Sequence, residues 1–200
     1  KGSDTEVLTL ASGVPSWAAA AGGGAWTFLN KTTASTDSTV DVETDIDSTY
    51  PLYAFALDKI VPSANGESMF IKIKVGGSYQ TSSYQYHATT TRASQSAFDH
   101  ANANSVSSAY IMPINIGVGN SGVTGSSVNG FFYLPAPSDT VIYKNVWWGL
   151  SSLEGADGAF FYSQGFGGYM GAAAVTGIQF YFGSGTVVSG DISLYGIKNS

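Results

Sequence analysis

The sequence predicts an all-β fold, an antiparallel β-sandwich or jelly-roll-like domain preceded by a short extended stalk segment. Three observations lead to this prediction. Ser, Thr, Gly, Tyr, Phe and Val dominate the 200 residues, whereas the good helix formers Glu, Lys, Arg and Leu are scarce. Short apolar or alternating runs recur between residues that favour turns. No window sustains the 3.6-residue period of a helix, so strands joined by tight turns are favoured.

The first 24 residues differ from the rest of the chain. The stretch E-V-L-T-L-A-S-G-V-P-S-W (6–17) is a short apolar strand, a Gly-Val-Pro turn and one Trp, and alanines and glycines follow it as a small-residue linker. Such a unit cannot bury its own apolar side, so we expect it to pack on copies of itself; a frayed N-terminus is the alternative. The start at Lys1 rather than Met favours a piece of a longer protein. We therefore divide the chain into a stalk-like lead-in and linker (1–24) and a β-sandwich C-terminal domain (25–200).

About eight strands are predicted after this linker. Residues 40–47 alternate apolar and acidic side chains, as a strand with one wet face does. The continuous apolar run 52–57 suits a central strand, and 69–75 carries an apolar face opposite two lysines. Further strands are predicted at 108–116, 130–134, 141–150, 177–182 and 190–197. In the strand 177–182, Ile178, Phe180 and Phe182 are expected to point inward and Gln179 and Tyr181 outward, and in 141–150 the adjacent Trp147 and Trp148 are expected on opposite faces. Turn residues separate these runs at 62–66, 76–77, 117–125, 135–139 and 183–185.

Composition excludes several classes of partner. Only 11% of the residues are charged, the net charge is −6, and the 8 basic residues are scattered, which argues against nucleic acid as a partner. No apolar run of about 18 residues occurs, so membrane insertion is not expected. Cysteine is absent and two histidines alone make a poor zinc set, so we expect no cofactor and no metal.

The acidic residues of the alternating run leave one question open. Asp41, Glu43, Asp45 and Asp47 stand at every second position, as some Ca²⁺ ligands do. The sixth and twelfth positions of a calcium loop would be Ile46 and Leu52, which are not the Gly and Glu that such a loop needs. We therefore favour a solvated strand face, although a cation held by the four acids stays an alternative.

Five segments resemble bacteriophage tail-fibre and tailspike C-terminal domains. They are I-D-S-T-Y-P-L-Y-A-F (46–55), I-V-P-S-A-N-G-E-S-M-F-I-K-I (60–73), G-G-S-Y (76–79), V-T-G-I-Q-F-Y-F-G-S-G (175–185) and V-V-S-G-D-I-S-L-Y-G-I-K (187–198). The opening segment 6–17 is similar to the stalk element that precedes such domains. The resemblance implies a β-sandwich in a homotrimer, an extracellular location in the virion tail fibre, and other virion tail proteins as partners. It carries over no catalytic residues, and it leaves 85–170 poorly matched.

An aromatic and glycine-rich segment, Leu153–Met170, is the predicted ligand-binding loop. Aromatic rings stack on the apolar faces of sugars, and amides bond sugar hydroxyls. The alternative is that these aromatic residues belong to a strand and lie in the core or at a trimer seam. The candidate ligand-binding residues are Phe160, Phe161, Tyr162, Gln164, Phe166 and Tyr169, joined by Tyr84 and Tyr86 from a second tyrosine-rich stretch.

No motif indicates catalysis. The chain has no G-x-S-x-G elbow. Glu154 and Asp157 form the only carboxylate pair beside the aromatic segment that we would test for glycoside hydrolysis. We therefore predict a receptor-binding domain, not an enzyme, that attaches a virion to a host-surface glycan or receptor protein. The alternatives are a purely structural virion component (fibre cap, decoration or trimerisation module) and a polysaccharide-degrading tailspike domain.

Overall fold

The computed structural model describes residues 6–11, 13–19, 25–94, 98–112, 117–120, 122–123, 125–156 and 158–198. Over these residues the chain forms fifteen β-strands and no helix. Every strand pairing is antiparallel, and two of the three sheets pack face to face around one apolar core. The predicted all-β, antiparallel sandwich is confirmed.

The strands have the following bounds. The first group is β1 (Glu6–Ala11), β2 (Val14–Ala19), β3 (Trp26–Asp37), β4 (Val40–Val42) and β5 (Leu52–Pro62). The second is β6 (Met69–Val75), β7 (Ser78–Tyr79), β8 (Tyr84–Arg92), β9 (Phe98–Val106) and β10 (Ala109–Met112). The last is β11 (Val128–Pro135), β12 (Lys144–Leu153), β13 (Phe160–Tyr169), β14 (Val175–Phe182) and β15 (Val187–Ile197).

The two N-terminal strands form a hairpin of their own. Leu8 lies directly opposite Trp17, and Leu10 lies opposite Pro15, so these side chains share one face of the hairpin. Leu8, Leu10 and Trp17 are 60%, 73% and 48% exposed. The hairpin therefore presents an apolar face that is not buried within this chain.

The larger sheet has eight strands in the order β3-β15-β5-β11-β12-β13-β8-β9. The predicted central strand, β5, lies between β15 and β11 and buries almost every side chain from Tyr53 to Leu57. The first body strand, β3, pairs with the last, β15, along almost its full length. The two ends of the domain are thus joined by one strand pair.

The smaller sheet has the order β10-β6-β14-β4, with β7 also paired to β6. It covers one face of the larger sheet: β10 lies against β8, β12 and β13, and β4 lies against β3 and β15. Along β14, Ile178, Phe180 and Phe182 are buried while Gln179 is not, which confirms the predicted alternation. The other face of the larger sheet is left uncovered by the smaller one.

Aromatic rings fill the centre of the sandwich. The rings of Phe55, Phe132 and Phe180 lie 5.6–5.8 Å apart, two of them from the larger sheet and one from the smaller. Hydrogen bonds also join the two sheets: Ser163 Oγ donates to the carbonyl of Ile111 at 3.1 Å, and the Ile73 amide donates to the phenol of Tyr84 at 2.7 Å. These contacts fix the position of β8 and β13 from beneath.

Two sequence expectations need correction. The alternation over 40–47 puts Val40, Val42 and Ile46 inside as predicted, but β4 ends at Val42 and Asp45 adopts a positive φ of 63°. The count of about eight strands is also wrong, because the polar strands β3, β8 and β9 and the glycine-rich β13 lack a continuous apolar run. These strands form because they pair with neighbours in a large sheet, and their own sequences indicate a strand only weakly.

Candidate ligand-binding face

The uncovered face of the eight-stranded sheet carries the candidate site. Strand alternation decides which side chains reach it: along β12, Val146 and Trp148 are buried, whereas Asn145 and Trp147 point outward. The same alternation along β13 sends Phe160, Tyr162, Gln164 and Phe166 to this face. Consecutive residues of one strand therefore divide between core and surface.

Antiparallel register aligns outward aromatic residues of four adjacent strands. Trp147 is paired with Tyr133 of β11 on one side and Phe166 of β13 on the other, and Phe166 is paired with His87 of β8. Tyr133 and Trp147 stack with ring centroids 5.2 Å apart, and the Phe166 and His87 rings are 5.9 Å apart. We call this set the aromatic row; its members are Tyr133, Trp147, Phe166 and His87.

The aromatic row is accessible to a ligand. Phe166 is 65% exposed and Trp147 is 41% exposed. His100 of the edge strand β9 extends the row, since its ring stacks on His87 at 6.3 Å. Such rings offer flat apolar faces with polar edges, which is the surface that stacks on a sugar ring.

A cavity of about 290 Å³ lies beside the aromatic row, and we call it the Gly168 cavity. Gly168 stands between Asn145 and Gln85 in the next cross-strand row, so a side chain is missing from the outer face at this point. The cavity occupies this gap and is lined on one side by Phe166 and His87. An added Cβ at Gly168 would collide with the Lys144 backbone, so the gap is part of the strand geometry.

The loop between β11 and β12 forms the other side of the Gly168 cavity through Tyr143, which is 56% exposed. Lys144 fixes this loop: its side chain is buried, and Nζ donates to the carbonyls of Ala136 and Asp139. Burial lowers the pKa of Lys144, and the Asp139 charge opposes this shift. The Asp139 carboxylate in turn accepts the amides of Val141 and Ile142, so the loop is held by bonds inside it.

Two more cavities lie along β13, toward its N-terminal end from the Gly168 cavity. The Gln164 cavity, of about 430 Å³, lies across Phe166 from the first and is lined by Trp147, Thr89 and His87. The Tyr162 cavity, of about 390 Å³, is lined by Phe160, Tyr162, Ser151 and Thr91. The three cavities thus follow one strand, and Phe166 lies between two of them.

The outer face of the binding half of the sheet carries no formal charge. We use this name for β11, β12, β13, β8 and β9. The described side chains that point outward from these strands are aromatic, amide, hydroxyl, imidazole or aliphatic. Lys144 and Arg92, which also line cavities, point inward and are bonded to the loop carbonyls and to Glu154 respectively.

The structure separates the predicted site residues into two groups. Phe160, Tyr162, Gln164 and Phe166 lie on the outer face, on a strand and not on a loop as predicted, since the Leu153–Met170 segment is mostly β13. Tyr84 and Phe161 are 0% and 3% exposed in the core, so we remove them from the candidate set. Tyr86 and Tyr169 also point inward and pack on the core, although both border the Gly168 cavity.

Several residues of the face were not predicted from the sequence. Trp147, Tyr133 and Asn145 lie on strands outside the two segments that we singled out, and His100 lies on β9, which was not recognised. The W-W pair did indicate opposite faces for Trp147 and Trp148. The register that brings Trp147 beside Phe166 is a long-range property that the local pattern does not contain.

A second aromatic group on the same face, which we call the edge cluster, consists of Trp26 and Phe28 of β3, Tyr195 of β15 and Phe131 of β11. The Trp26 ring lies 5.8 Å from the rings of Phe131 and Tyr195 and 6.4 Å from that of Tyr133 in the aromatic row, and the Phe28 ring lies 5.7 Å from that of Tyr195. Lys31 and Asp191 form an ion pair of 3.0 Å on β3 and β15. These two strands therefore combine apolar rings with charge, unlike the outer face of the binding half.

The acidic residues are engaged in contacts elsewhere. Glu154 is almost buried and pairs with Arg92 at 3.0 Å, while its proposed partner Asp157 lies outside the described residues. In the 41–47 run, Asp41 accepts from Gln179, Glu43 from Lys74 and Tyr79, Asp45 from Asn30, and Asp47 from Tyr53. Among the described residues, no group of three or more acidic or histidine side chains is arranged to hold a metal ion.

Comparison with family models, with curated proteins and with solved structures found no match for this chain. In the part of the chain that the structure describes, no helix has the length and apolar character needed to cross a membrane. The outer face of the larger sheet is therefore the basis for assigning a function.

Proposed function

We propose that this chain is a receptor-binding domain of a bacteriophage tail fibre that attaches the virion to a host-surface glycan. The observation that supports this proposal is the aromatic row, with exposed rings and neighbouring amides on a rigid sheet and cavities beside them. The resemblance of the strand segments to phage fibre domains adds the virion setting. The proposal assigns no reaction to the chain.

The exposed rings suit a glycan because they are rigid and already ordered. Tyr133 stacks on Trp147, and the Tyr162 ring lies over Gly149, where an added Cβ would collide with the phenol. A ligand that stacks on these rings loses its own freedom but does not have to order the site. Several copies on one fibre would raise the avidity of a weak single site.

Binding to whole bacteria tests this proposal, with Trp147→Ala and Phe28→Ala as a matched pair. Both residues are exposed aromatic residues of the same sheet, 41% and 56%, but Phe28 lies in the edge cluster and its ring packs on Tyr195. We expect the labelled protein to be retained by cells of particular strains, and Trp147→Ala to lower retention about tenfold or more while Phe28→Ala does not. Flow cytometry over a strain panel measures this. Absence of retention on all strains, or equal loss in both variants, would overturn the proposal.

A purely structural virion role is the second candidate, and one observation favours it. The hairpin face of Leu8, Leu10 and Trp17 and the edge cluster are both exposed and apolar, as surfaces buried between subunits are. A fibre cap or trimerisation module needs such surfaces and no ligand. In the binding test, this role predicts no cell retention and a change of assembly state in Phe28→Ala.

A further inference from the structure

We infer that the site binds an uncharged polysaccharide lengthwise along β13, with sugar residues on both sides of Phe166. This inference rests on the proposed glycan-binding function and adds to it the charge class of the ligand and the direction in which it lies. It follows from the arrangement of the three cavities, from their size and from the uncharged character of the described side chains on the outer face of the binding half.

The first step is the direction of the ligand. The Tyr162, Gln164 and Gly168 cavities follow one another along β13, which rises about 3.4 Å per residue, so the line from Phe160 to Gly168 is about 27 Å long. A single cavity of 290–430 Å³ is at the lower end of the size of small-molecule sites, about 300–1,000 Å³. A chain of linked sugars fills more than one of them, whereas a single sugar fills one.

The second step is the role of Phe166. Its ring borders both the Gln164 and the Gly168 cavity, as does His87. A ligand that continues from one cavity to the next must cross the exposed edge of this ring. Phe166 is therefore in contact with the middle of the bound segment, and its removal weakens contacts on both sides.

The third step is the charge of the ligand. The outward side chains of the binding half include Gln85, Asn145 and Gln164, which both donate and accept hydrogen bonds as sugar hydroxyls do. An acidic glycan would lose hydration at its carboxylates without meeting a cation, because Lys144 and Arg92 are already bonded beneath the sheet. A neutral glycan has no such penalty.

The first test of this inference is an array of bacterial surface polysaccharides that contains both uncharged and acidic polymers. We expect the full chain to bind uncharged polymers and to leave the acidic ones unbound. Binding to acidic polymers alone, or to no polysaccharide at all, would overturn the inference. Retention on whole cells without any binding on the array would leave the receptor-binding proposal standing, with a protein receptor in place of the glycan.

The second test concerns direction and uses fragments of a polymer that the array identifies. Isothermal titration should show affinity that rises with fragment length over several sugar units and then levels off. Phe166→Ala should lower the affinity for the longer fragments about tenfold or more, and Asn145→Ala should lower it less. Phe28→Ala, at a Phe of the edge cluster that is 56% exposed against 65% for Phe166, is the matched control and should bind like the parent. If the free monosaccharide binds as tightly as the longest fragment, the ligand does not lie along β13.

Discussion

Asp47 shows how one residue stabilises the loop that precedes the central strand. Its carboxylate accepts the Thr49 amide at 2.7 Å and the phenol of Tyr53 at 2.9 Å. These hydrogen bonds hold the pKa of Asp47 below its ordinary value of 3.8, and the bond from Thr49 has the larger effect. Tyr53 itself is buried, and this burial raises its pKa to about 12. The pair therefore keeps a carboxylate and a neutral phenol together over a wide range of pH.

A dependence of stability on acid pH follows from this lowered pKa. Because the folded-state value is below the unfolded-state value, the charged Asp47 stabilises the fold above the unfolded pKa, and this contribution is lost as the pH falls through the folded pKa. Asp47→Asn removes the titration but keeps an oxygen that accepts the Thr49 amide. We expect the difference in unfolding free energy between parent and variant to shrink as the pH falls from neutral to about 3, measured by urea unfolding. A difference that stays constant with pH would contradict this expectation.

Lys144 is a residue whose role the sequence does not indicate. Lysine is almost never fully buried, but Lys144, within the predicted strand 141–150, is 1% exposed and its Nζ donates to two loop carbonyls. No local pattern predicts its burial, because the loop from 136 to 143 folds over it. Tyr143, which lines the Gly168 cavity, lies in the same loop, so the sequence does not identify it as part of the site either.

For single strands, the sequence predicts the direction in which a side chain points better than it predicts which segments form strands. The alternation in 178–182 and the W-W pair of β12 gave correct faces, since side-chain direction in a strand follows directly from residue number. For the segment that forms β13, the sequence predicts a loop with a strand as the alternative, because its glycines are typical of turns. In the fold these glycines make room for neighbours: an added Cβ at Gly165 would collide with the Trp148 ring, and one at Gly167 with Tyr86.

Strand β11 offers a sharp test of the assignment of faces. Phe132 is 0% exposed within the Phe55 and Phe180 cluster, whereas its neighbour Phe131 is 40% exposed. Phe132→Ala should lower the free energy of unfolding by about 3–5 kcal/mol, because it leaves a cavity between the two sheets. Phe131→Ala should lower it by clearly less, because this ring is already partly in water. Chemical denaturation of both variants measures the difference, and equal losses would show that the faces are assigned incorrectly.

At the scale of the whole molecule, two kinds of surface are distributed over one sheet face and one appendage. The outer face of the binding half is uncharged and carries three cavities, whereas the edge cluster and the hairpin present exposed apolar rings and side chains, and a cavity of about 270 Å³ on β3, β5 and β15 is lined by the charged Asp58, Lys59 and Asp191. We propose that the hairpin belongs to assembly and the binding half to attachment.

The assembly role of the hairpin gives a measurable prediction. Replacing Leu8, Leu10 and Trp17 together by Ser removes its apolar face, so we expect weaker self-association and a lower mass in sedimentation velocity at the same concentration. Val14→Ser is the matched control, since Val14 is also exposed but points to the opposite face of the hairpin. An unchanged mass in the triple variant would place the subunit contact elsewhere, with the edge cluster as the next surface to test.

The pairing of β3 with β15 has a consequence for the order in which the chain folds during its synthesis. β3 begins at Trp26, and its partner β15 ends at Ile197, so the first body strand has to wait until residues 187–197 have been made. Contacts between residues so far apart in sequence are slow to form, because the intervening chain must first be restrained. During this delay Trp26 and Phe28 are exposed on an unpaired strand, which makes the unfinished chain prone to aggregation. Completion of β15 on the ribosome is thus the step that removes this exposed strand.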